Sequence, residues 1–352
     1  MLACFASNRP EQLARALSAY APQLTGHELL VIDTDATHGE NAAKLPANAL
    51  HYSETEFPEM FPDHARAFQG KYGGVRNQCL AVAAARKQGA VFLDDDTLPL
   101  NDVIRRHENA LEKGYDIVCG KYLGHAGGST NLVIQLVNEL NQKEPRPEKI
   151  KNIFSGLPEA TNSLVLGAGV NGGNLGVSLN ACRTYAFYPT AYRVEDGTYA
   201  SLNSYYLGAD RVYNPQTRVE AESYLPVVLH KMAPGTPDAF RKKLVNEIQG
   251  TSLALAIYNR LEKRESNRTE NTDKSFQEYL VAYLQKNSAA KNYPARMPPE
   301  LTEEKKELEK LLALTPDAIA LPEKEYDAGV ELFFETQRDW KETVKQAEKK
   351  LG

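Results

Sequence analysis

The sequence lacks the features that mark membrane-spanning and disulfide-stabilised proteins. Its four cysteines lie far apart and form no CxxC pair, so neither a zinc-finger spacing nor a disulfide framework is indicated. No stretch approaches the roughly 18 consecutive apolar residues that a membrane span needs. The start MLACFASNRPEQ has no basic segment and only a five-residue apolar run, which predicts no signal peptide. We therefore expect a cytoplasmic protein without a membrane span.

The chain also lacks an excess of positive charge. Lys and Arg number 41 against 46 Asp and Glu, which gives a net charge of -5. A protein whose main task is binding nucleic acid normally carries a basic excess, so that class is disfavoured. Hydrophobic residues at 42% and charged residues at 25% are ordinary for a globular protein. At 352 residues, one large domain with additions or two domains is expected.

The first half alternates short apolar runs with amphipathic stretches. The apolar runs predict strands at Leu2–Ala6, Leu29–Ile32, Leu50–Tyr52, Ala90–Leu93 and Tyr115–Lys121. Helical spacing is found after Pro10, over Arg76–Lys87 and over Asn101–Lys113. This rhythm predicts an α/β fold with a mixed, mainly parallel sheet and flanking helices. Such sheets bind ligands at the carboxyl ends of their strands, where both Asp33 and Asp94 are expected.

The second half has a different pattern. A glycine-rich passage over Leu166–Gly176 is followed by many aromatic residues between positions 185 and 213, which could pack a core or contact a sugar. From about residue 237 the apolar spacing is helical, interrupted by a polar run over Arg260–Lys274 that is typical of a loop. We expect an α/β domain over residues 1–235 and a helical C-terminal region over residues 236–352.

Three consecutive aspartates after an apolar strand are the most informative feature. In an extended chain Asp94 and Asp96 point to one side and Asp95 to the other. Such a DxD unit suits a hard divalent cation, Mn²⁺ or Mg²⁺, which can neutralise the diphosphate of a nucleotide-sugar. A solvated acidic turn is the alternative that the tripeptide alone leaves open.

The residues around the aspartates extend the pattern. In order it comprises Gly73-Gly74, Arg76-Asn77, an alanine-rich helix, Gly89, an apolar strand and Asp94-Asp95-Asp96. This order and spacing resemble the central block of the inverting GT-A glycosyltransferases of the large second family. Ser7-Asn8-Arg9 after the first strand and Ile32-Asp33 after the second resemble the opening of that family. The resemblance covers the first 100 residues well and the remainder in patches.

The resemblance implies a GT-A (Rossmann-like) fold and a metal-dependent glycosyltransferase, expected to be a hexosyltransferase. The donor would be a UDP- or GDP-linked sugar and the acceptor a carbohydrate or another hydroxyl compound. Asp33 would contact the base or ribose, Asp94 the ribose and metal, and Asp96 the metal directly. The nucleotide-sugar-binding residues implied by the resemblance are Ser7, Asn8, Arg9, Asp33, Arg76, Asp94, Asp95 and Gly173. Members of the family often have two adjacent acidic residues at the position that corresponds to Asp33. This chain instead has Asp33-Thr34-Asp35.

The catalytic assignment comes from the second half. An inverting transfer needs a carboxylate that deprotonates the acceptor hydroxyl. Glu195-Asp196, beyond the glycine-rich stretch, resembles the Glu-Asp pair of the family and makes Asp196 the expected base; an Asp-Gly turn is the alternative. His230 resembles an additional metal ligand of some GT-A enzymes, and a structural histidine is the alternative. The sequence predicts no role for the other six histidines.

Other functions fit parts of the pattern. A haloacid-dehalogenase-type phosphatase also has aspartates and a threonine after a strand, but its threonine should lie four residues after the first aspartate. Here Thr97 lies three residues after Asp94. Sugar-nucleotidyltransferases open with a glycine-rich loop that Ala6-Ser7-Asn8-Arg9 lacks. A non-catalytic sugar-nucleotide-binding protein on the same fold, and a homo-oligomer formed through the C-terminal helices, stay open.

Overall fold

Strands dominate the N-terminal part of the chain and helices the C-terminal part. A computed structural model describes residues 1–70, 72–124, 129–157, 172–207, 212–213, 225–231, 234–266 and 275–352. The strands are Leu2–Ala6 (β1), Glu28–Asp33 (β2), Leu50–Ser53 (β3), Ala90–Asp94 (β4), Thr97–Pro99 (β5), Ile117–Cys119 (β6), Lys121–Leu123 (β7), Asn174–Val177 (β8), Val212–Tyr213 (β9) and Val227–His230 (β10).

The helices range from single turns to eight turns. They are Pro10–Tyr20 (α1), His38–Ala42 (α2), Glu56–Met60 (α3), Ala65–Phe68 (α4), Gly73–Ala85 (α5), Val103–Glu112 (α6), Ser129–Leu140 (α7), Pro147–Phe154 (α8), Leu179–Thr184 (α9), Glu195–Leu207 (α10), Pro237–Ser266 (α11), Ser275–Lys291 (α12), Tyr293–Arg296 (α13), Thr302–Leu312 (α14), Pro316–Ile319 (α15) and Glu323–Leu351 (α16). None of these described helices is long and apolar enough to cross a membrane.

A seven-stranded sheet has the order β3-β2-β1-β4-β8-β6-β9. Its strands are parallel except β8, which is antiparallel to both β4 and β6. The predicted α/β class with a mixed, mainly parallel sheet is therefore confirmed. Because β8 is reversed, its first residue Asn174 lies opposite Leu93, near the carboxyl end of β4. Gly172 and Gly173, which precede β8, are thereby brought to the edge where the strand ends carry their polar side chains.

Alternate residues of the buried strands face two helix layers, as the period of a strand requires. On β1, Leu2 and Cys4 belong to a core that includes residues of α5, α9 and α16. Ala3 and Phe5 belong to a core that includes residues of α1 and α6. Fully burying one such large side chain contributes about 1.5–3 kcal/mol, so the two layers hold the strand ends in fixed positions.

A second, three-stranded sheet has the order β5-β10-β7. Strand β10 runs antiparallel to β5 and parallel to β7, and its register sets His230 opposite Thr97. Lys231 N donates a hydrogen bond to Asp96 O at 2.7 Å, which continues the pairing into the aspartate turn. This small sheet therefore places His230 beside the acidic tripeptide.

The C-terminal part is helical from Pro237, as predicted. The loop predicted over Arg260–Lys274 is wrong for its first half, because α11 continues to Ser266; residues 267–274 lie outside the described chain. Helices α7, α8, α11, α12, α13, α14 and α15 contribute to one core. Helix α16 instead packs against α5, and its buried Trp340 belongs to a core beneath the main sheet.

Candidate active site

The carboxyl ends of four neighbouring strands form the edge on which the predicted site residues lie. The register of β1 places Ala6 beside Ile32 on one side and beside Asp94 on the other. The register of β2 and β3 places Asp33 beside Ser53. Residues that follow β1, β2 and β4 are thus neighbours in space, which is where open α/β sheets bind ligands.

Asp95 anchors the loop that follows β1. It accepts hydrogen bonds from Ser7 Oγ and Arg9 Nη2, and from Arg9 Nε at 3.1 Å. Arg9 Nη2 also lies 3.0 Å from Asp96 Oδ2. Burial raises the pKa of Asp95, although Arg9 and Ser7 oppose the effect. Since both carboxylates contact one guanidinium, the predicted opposite orientation of Asp95 and Asp96 is wrong: they lie in a turn after β4, which ends at Asp94.

The other strand-end residues differ in exposure. Ser7 is buried and donates a hydrogen bond to the Asp95 carboxylate, whereas Asn8 is exposed to solvent. The Arg9 side chain is 41% exposed although its guanidinium bridges two buried acids. Predicted donor-binding residues therefore do lie together at this edge, and their contacts with a nucleotide stay predictions.

Asp94, Asp96 and His230 provide ligand atoms of the kind that a divalent cation needs. Asp96 Oδ1 is buried without a well-formed hydrogen bond to any described group, and His230 Nε2 lies 3.4 Å from it. Burial alone would raise the pKa of Asp96, but His230 and Arg9 together lower it. Mn²⁺ or Mg²⁺ can bind a set of two carboxylates and one imidazole. One carboxylate oxygen of this set is buried without a well-formed hydrogen bond to a described group.

Asp94 is a partly buried acid whose pKa is raised. Burial raises its pKa, and Asp96 and Asp95 add to the effect while Arg76 opposes it. The Tyr122 hydroxyl donates a hydrogen bond to Asp94 Oδ2 at 3.2 Å. A cation bound between the carboxylates would relieve their mutual repulsion. The ligand atoms of Asp94, Asp96 and His230 do not all lie within 4.8 Å of one another, so these side chains would have to move closer together to share one ion.

The Gly172-Gly173 dipeptide joins the aspartate turn to a second acidic pair. Gly173 O accepts a hydrogen bond from Asp94 N at 3.2 Å, and Gly172 N donates to Asp196 Oδ2 at 2.7 Å. A Cβ at Gly173 would overlap the Asp94 carboxyl group, and one at Gly172 would overlap the Arg76 guanidinium. Alanine at Gly172 would therefore require the Arg76 side chain to move, and alanine at Gly173 the Asp94 side chain, so glycine suits this close approach. Asp196, the predicted base, thus reaches the same edge as Asp94.

Arg76 lies beside the acidic pair Glu195-Asp196 and contacts Glu195. Its Nη1 donates to Gly172 O at 2.6 Å, and its Nε lies 3.3 Å from Glu195 Oε1. Burial raises the pKa of Glu195 to about 7, with the neighbouring Asp196 adding to the effect and Arg76 opposing it. Arg76 contacts Gly172, Glu195 and the rings of Phe92 and Phe187, and its nucleotide contact stays a prediction. Its side chain is 15% exposed.

Asn77 supports the same region from within a helix. Helix α5 begins at Gly73, so Asn77 lies within it and is fully buried. Its amide donates to Ala67 O at 2.7 Å and to Phe187 O at 3.1 Å, and accepts from Phe187 N at 2.7 Å. One side chain thereby ties the segment before α5 to the segment after α9.

Several aromatic residues considered for acceptor binding belong to the core. Phe187 stacks on Tyr199 with ring centroids 3.9 Å apart, and both are fully buried. Tyr188 is buried in another core and contacts Phe333 edge to face. Tyr192 is half-buried, and the side chains of Tyr205, Tyr206 and Tyr213 lie outside the described residues. The rings of Phe187, Tyr188 and Tyr199 are thus buried and cannot form a platform for a sugar.

Two histidines without a predicted role surround Asp33. His38 Nδ1 lies 2.8 Å from Asp33 Oδ1, and His51 Nε2 lies 2.7 Å from Asp33 Oδ2. The signal that could have found His51 is its place in the predicted third strand, next to the strand that ends in Asp33. The predicted base contact of Asp33 stays a prediction, since both its carboxylate oxygens already contact the protein.

Helix α11 of the C-terminal region packs beside the segment that precedes the second acidic pair. Arg193 N donates to Asn246 Oδ1 at 2.9 Å, and a Cβ at Gly250 would overlap Arg193 O, so α11 packs closely on the segment before Glu195. Lys243, one turn before Asn246, interacts electrostatically with Arg193 and Asp96. Burial and Arg193 lower the pKa of Lys243 to about 8. Sequence reasoning missed this residue because its helix lies far along the chain.

No protein-family model matches the chain, and no curated protein resembles it significantly. Its chemistry is therefore inferred from the residues at this edge.

Proposed function

We propose that the chain is a metal-dependent glycosyltransferase of GT-A architecture that transfers a sugar to a hydroxyl acceptor with inversion. The observation that carries the proposal is the meeting of Asp94, Asp96 and His230 with Asp196 at one sheet edge, through Gly172-Gly173. The mixed, mainly parallel sheet and the family-like order of residues around Asp94 support it.

The metal-side residues would hold the ion and the donor. Asp96 and His230 would bind the cation, and Asp94 would contact the ribose and the cation. When bound, Mn²⁺ or Mg²⁺ neutralises the diphosphate and stabilises the nucleoside diphosphate as a leaving group. Ser7 and Arg9 would hold the turn that carries these ligands, because Asp95 is fixed between them.

Asp196 would act as the general base. Gly172 N and Gly197 N each donate a hydrogen bond of 2.7 Å to one of its oxygens, which fixes the direction of the carboxylate. The acceptor proton moves to Asp196 as the acceptor oxygen attacks the anomeric carbon. The bond from that carbon to the diphosphate oxygen breaks, and the electron pair leaves with the nucleoside diphosphate. Attack from the opposite face inverts the anomeric configuration.

Metal-dependent nucleotide binding tests the proposal. We expect one of UDP or GDP to raise the melting temperature in the presence of Mn²⁺ and not in its absence. Free ligand at 100 times Kd adds about 2.7 kcal/mol of stability, which a thermal-shift measurement resolves. Asp96→Ala should abolish the shift because the ion loses its direct ligand. Asp63→Ala, which removes an exposed acid elsewhere, should preserve it.

Two results would contradict the assignment. One is an unchanged Mn²⁺-dependent shift in a folded Asp96→Ala protein, with folding checked by circular dichroism. The other is the absence of any shift with either nucleotide, accompanied by a beryllium fluoride adduct on Asp94. The second result would favour a phosphatase that works through an aspartyl-phosphate.

A further inference from the structure

A second cluster of ligand-type side chains lies at the same sheet edge, two strands away from β4. Asp33 ends β2, His38 begins α2 and His51 lies in β3. One ligand atom of each lies within 4.8 Å of those of the other two. We propose that these three side chains form a Zn²⁺ site, separate from the cation site at Asp94 and Asp96.

The two imidazoles approach one carboxylate from neighbouring positions. His38 Nδ1 is 2.8 Å from Asp33 Oδ1, and His51 Nε2 is 2.7 Å from Asp33 Oδ2. The rings are stacked, with centroids 4.0 Å apart and planes inclined by 18°. Zn²⁺ binds nitrogen and oxygen at about 2.0–2.2 Å, so these ligand atoms would have to move apart to surround an ion that replaces their hydrogen bonds.

The donor set selects the kind of metal. Two histidines and one carboxylate form a set that Zn²⁺ uses when its fourth position stays open to water or a ligand. The site at Asp94 and Asp96 has more oxygen character, which suits the harder Mn²⁺ and Mg²⁺. The two sites therefore differ in preference as well as in place.

Hydrogen bonds from neighbouring residues hold the Asp33 carboxylate in place, as they do for metal ligands in other proteins. Its side chain is fully buried, and Asn41 Nδ2 donates to Asp33 Oδ2 at 2.9 Å and to Ser7 O at 3.3 Å. Such outer hydrogen bonds orient ligands and raise metal affinity. The His38 side chain is 36% exposed, which gives an ion access from solvent. A bound Zn²⁺ would tie β2, α2 and β3 together and would make Asp33 a cation ligand instead of a base contact.

Isothermal titration of the full chain with Zn²⁺ tests the site. Wild type should bind one ion per chain tightly. Asp33→Asn, His38→Gln and His51→Gln should each weaken binding at least tenfold, since loss of a supporting residue alone typically costs about 10–100-fold. His27→Gln, a half-buried histidine elsewhere, and Asp96→Ala are the controls and should bind as wild type does. Titration with Co²⁺ should give visible absorption bands that His38→Gln removes.

Equal Zn²⁺ affinity in wild type and His38→Gln would overturn the proposal, as would the absence of stoichiometric binding in wild type. His38→Gln is the decisive variant because its partly exposed side chain can be replaced without disturbing the core. Loss of the tight site in Asp96→Ala would also overturn it, since the ion would then occupy the other site. The Zn²⁺ result does not depend on nucleotide binding, so the two proposals fail independently.

Discussion

At the scale of single residues, Asp196 is the position where the proposed chemistry is most directly testable. Asp196→Asn keeps the shape of the side chain, but its one amide oxygen can accept a hydrogen bond from only one of Gly172 N and Gly197 N, and it cannot accept a proton as a carboxylate does. We expect kcat to fall about 10²–10⁴-fold while donor affinity stays near wild type, because a general base acts in the transition state. Release of nucleoside diphosphate measures the rate, and thermal shift measures donor binding.

Glu195→Gln tests which of the two neighbouring acids, Glu195 or Asp196, is the general base. Glu195 interacts with Arg76, and its raised pKa would also suit a base near neutral pH, so it is the natural rival. If Asp196 is the base, Glu195→Gln should retain much more of the rate than Asp196→Asn. The reverse order, or a product whose anomeric configuration by NMR equals that of the donor, would reject the assignment of Asp196.

The sequence indicated which acids to examine but not how their surroundings change them. Asp94 and Asp96 follow from an apolar run that ends in acids, a local signal. The raised pKa of Glu195 depends on burial and on a neighbour fixed by tertiary packing. His38 and His51 were missed for a similar reason, because their meeting depends on the alignment of β3 with β2 and on the turn that leads into α2.

At the scale of elements, the reversed strand β8 brings the two halves of the site together. Its preceding loop passes so close to β4 that a methyl group on Gly173 would overlap the Asp94 carboxyl group. Gly173→Ala should therefore shift the loop, lower the free energy of unfolding by about 1–3 kcal/mol and weaken Mn²⁺-dependent nucleotide binding. Urea denaturation and thermal shift measure the two effects.

Gly39→Ala is the matched control for this substitution. A Cβ at Gly39 would meet no described atom within 4 Å, and the residue lies in helix α2, where alanine is favoured. This variant should be as stable as wild type or slightly more stable, with unchanged nucleotide binding. A Gly173→Ala protein that behaves like Gly39→Ala would show that the loop does not shape the metal side of the site.

The sequence predicted some strands and helices correctly and missed others. The strands β1, β2 and β4 were predicted because each contains at least four consecutive apolar residues. The small sheet was not predicted as a unit, because β5 and β7 have three residues each and gain stability only by pairing with β10. The end of α11 was missed because polar residues beyond Arg260 carry no apolar period.

At the scale of the whole molecule, helix α16 links the end of the chain to the α/β part. The predicted division into residues 1–235 and 236–352 stays a prediction, yet α16 packs on α5 across it. Helix α5 carries Arg76 and Asn77, which hold the glycine loop and the segment after α9. The last helix is therefore expected to stabilise the candidate site without contacting it.

Trp340 tests this long-range support. It is fully buried, its Nε1 donates to Cys182 O at 3.0 Å, and its ring lies 6.3 Å from that of Phe68. Trp340→Ala should lower the free energy of unfolding by about 3–5 kcal/mol, because it opens a cavity and leaves a buried carbonyl without its donor. Lys341→Ala, the exposed neighbour in the same helix, should change it by less than about 0.5 kcal/mol. If α16 is part of the same cooperative unit, Trp340→Ala should lower the urea midpoints of two transitions by the same amount. One is the loss of Mn²⁺-dependent nucleotide binding, and the other is the loss of the helical circular dichroism signal. A binding transition that stays at its wild-type midpoint while part of the helical signal is lost earlier would show that the α/β part folds independently of α16.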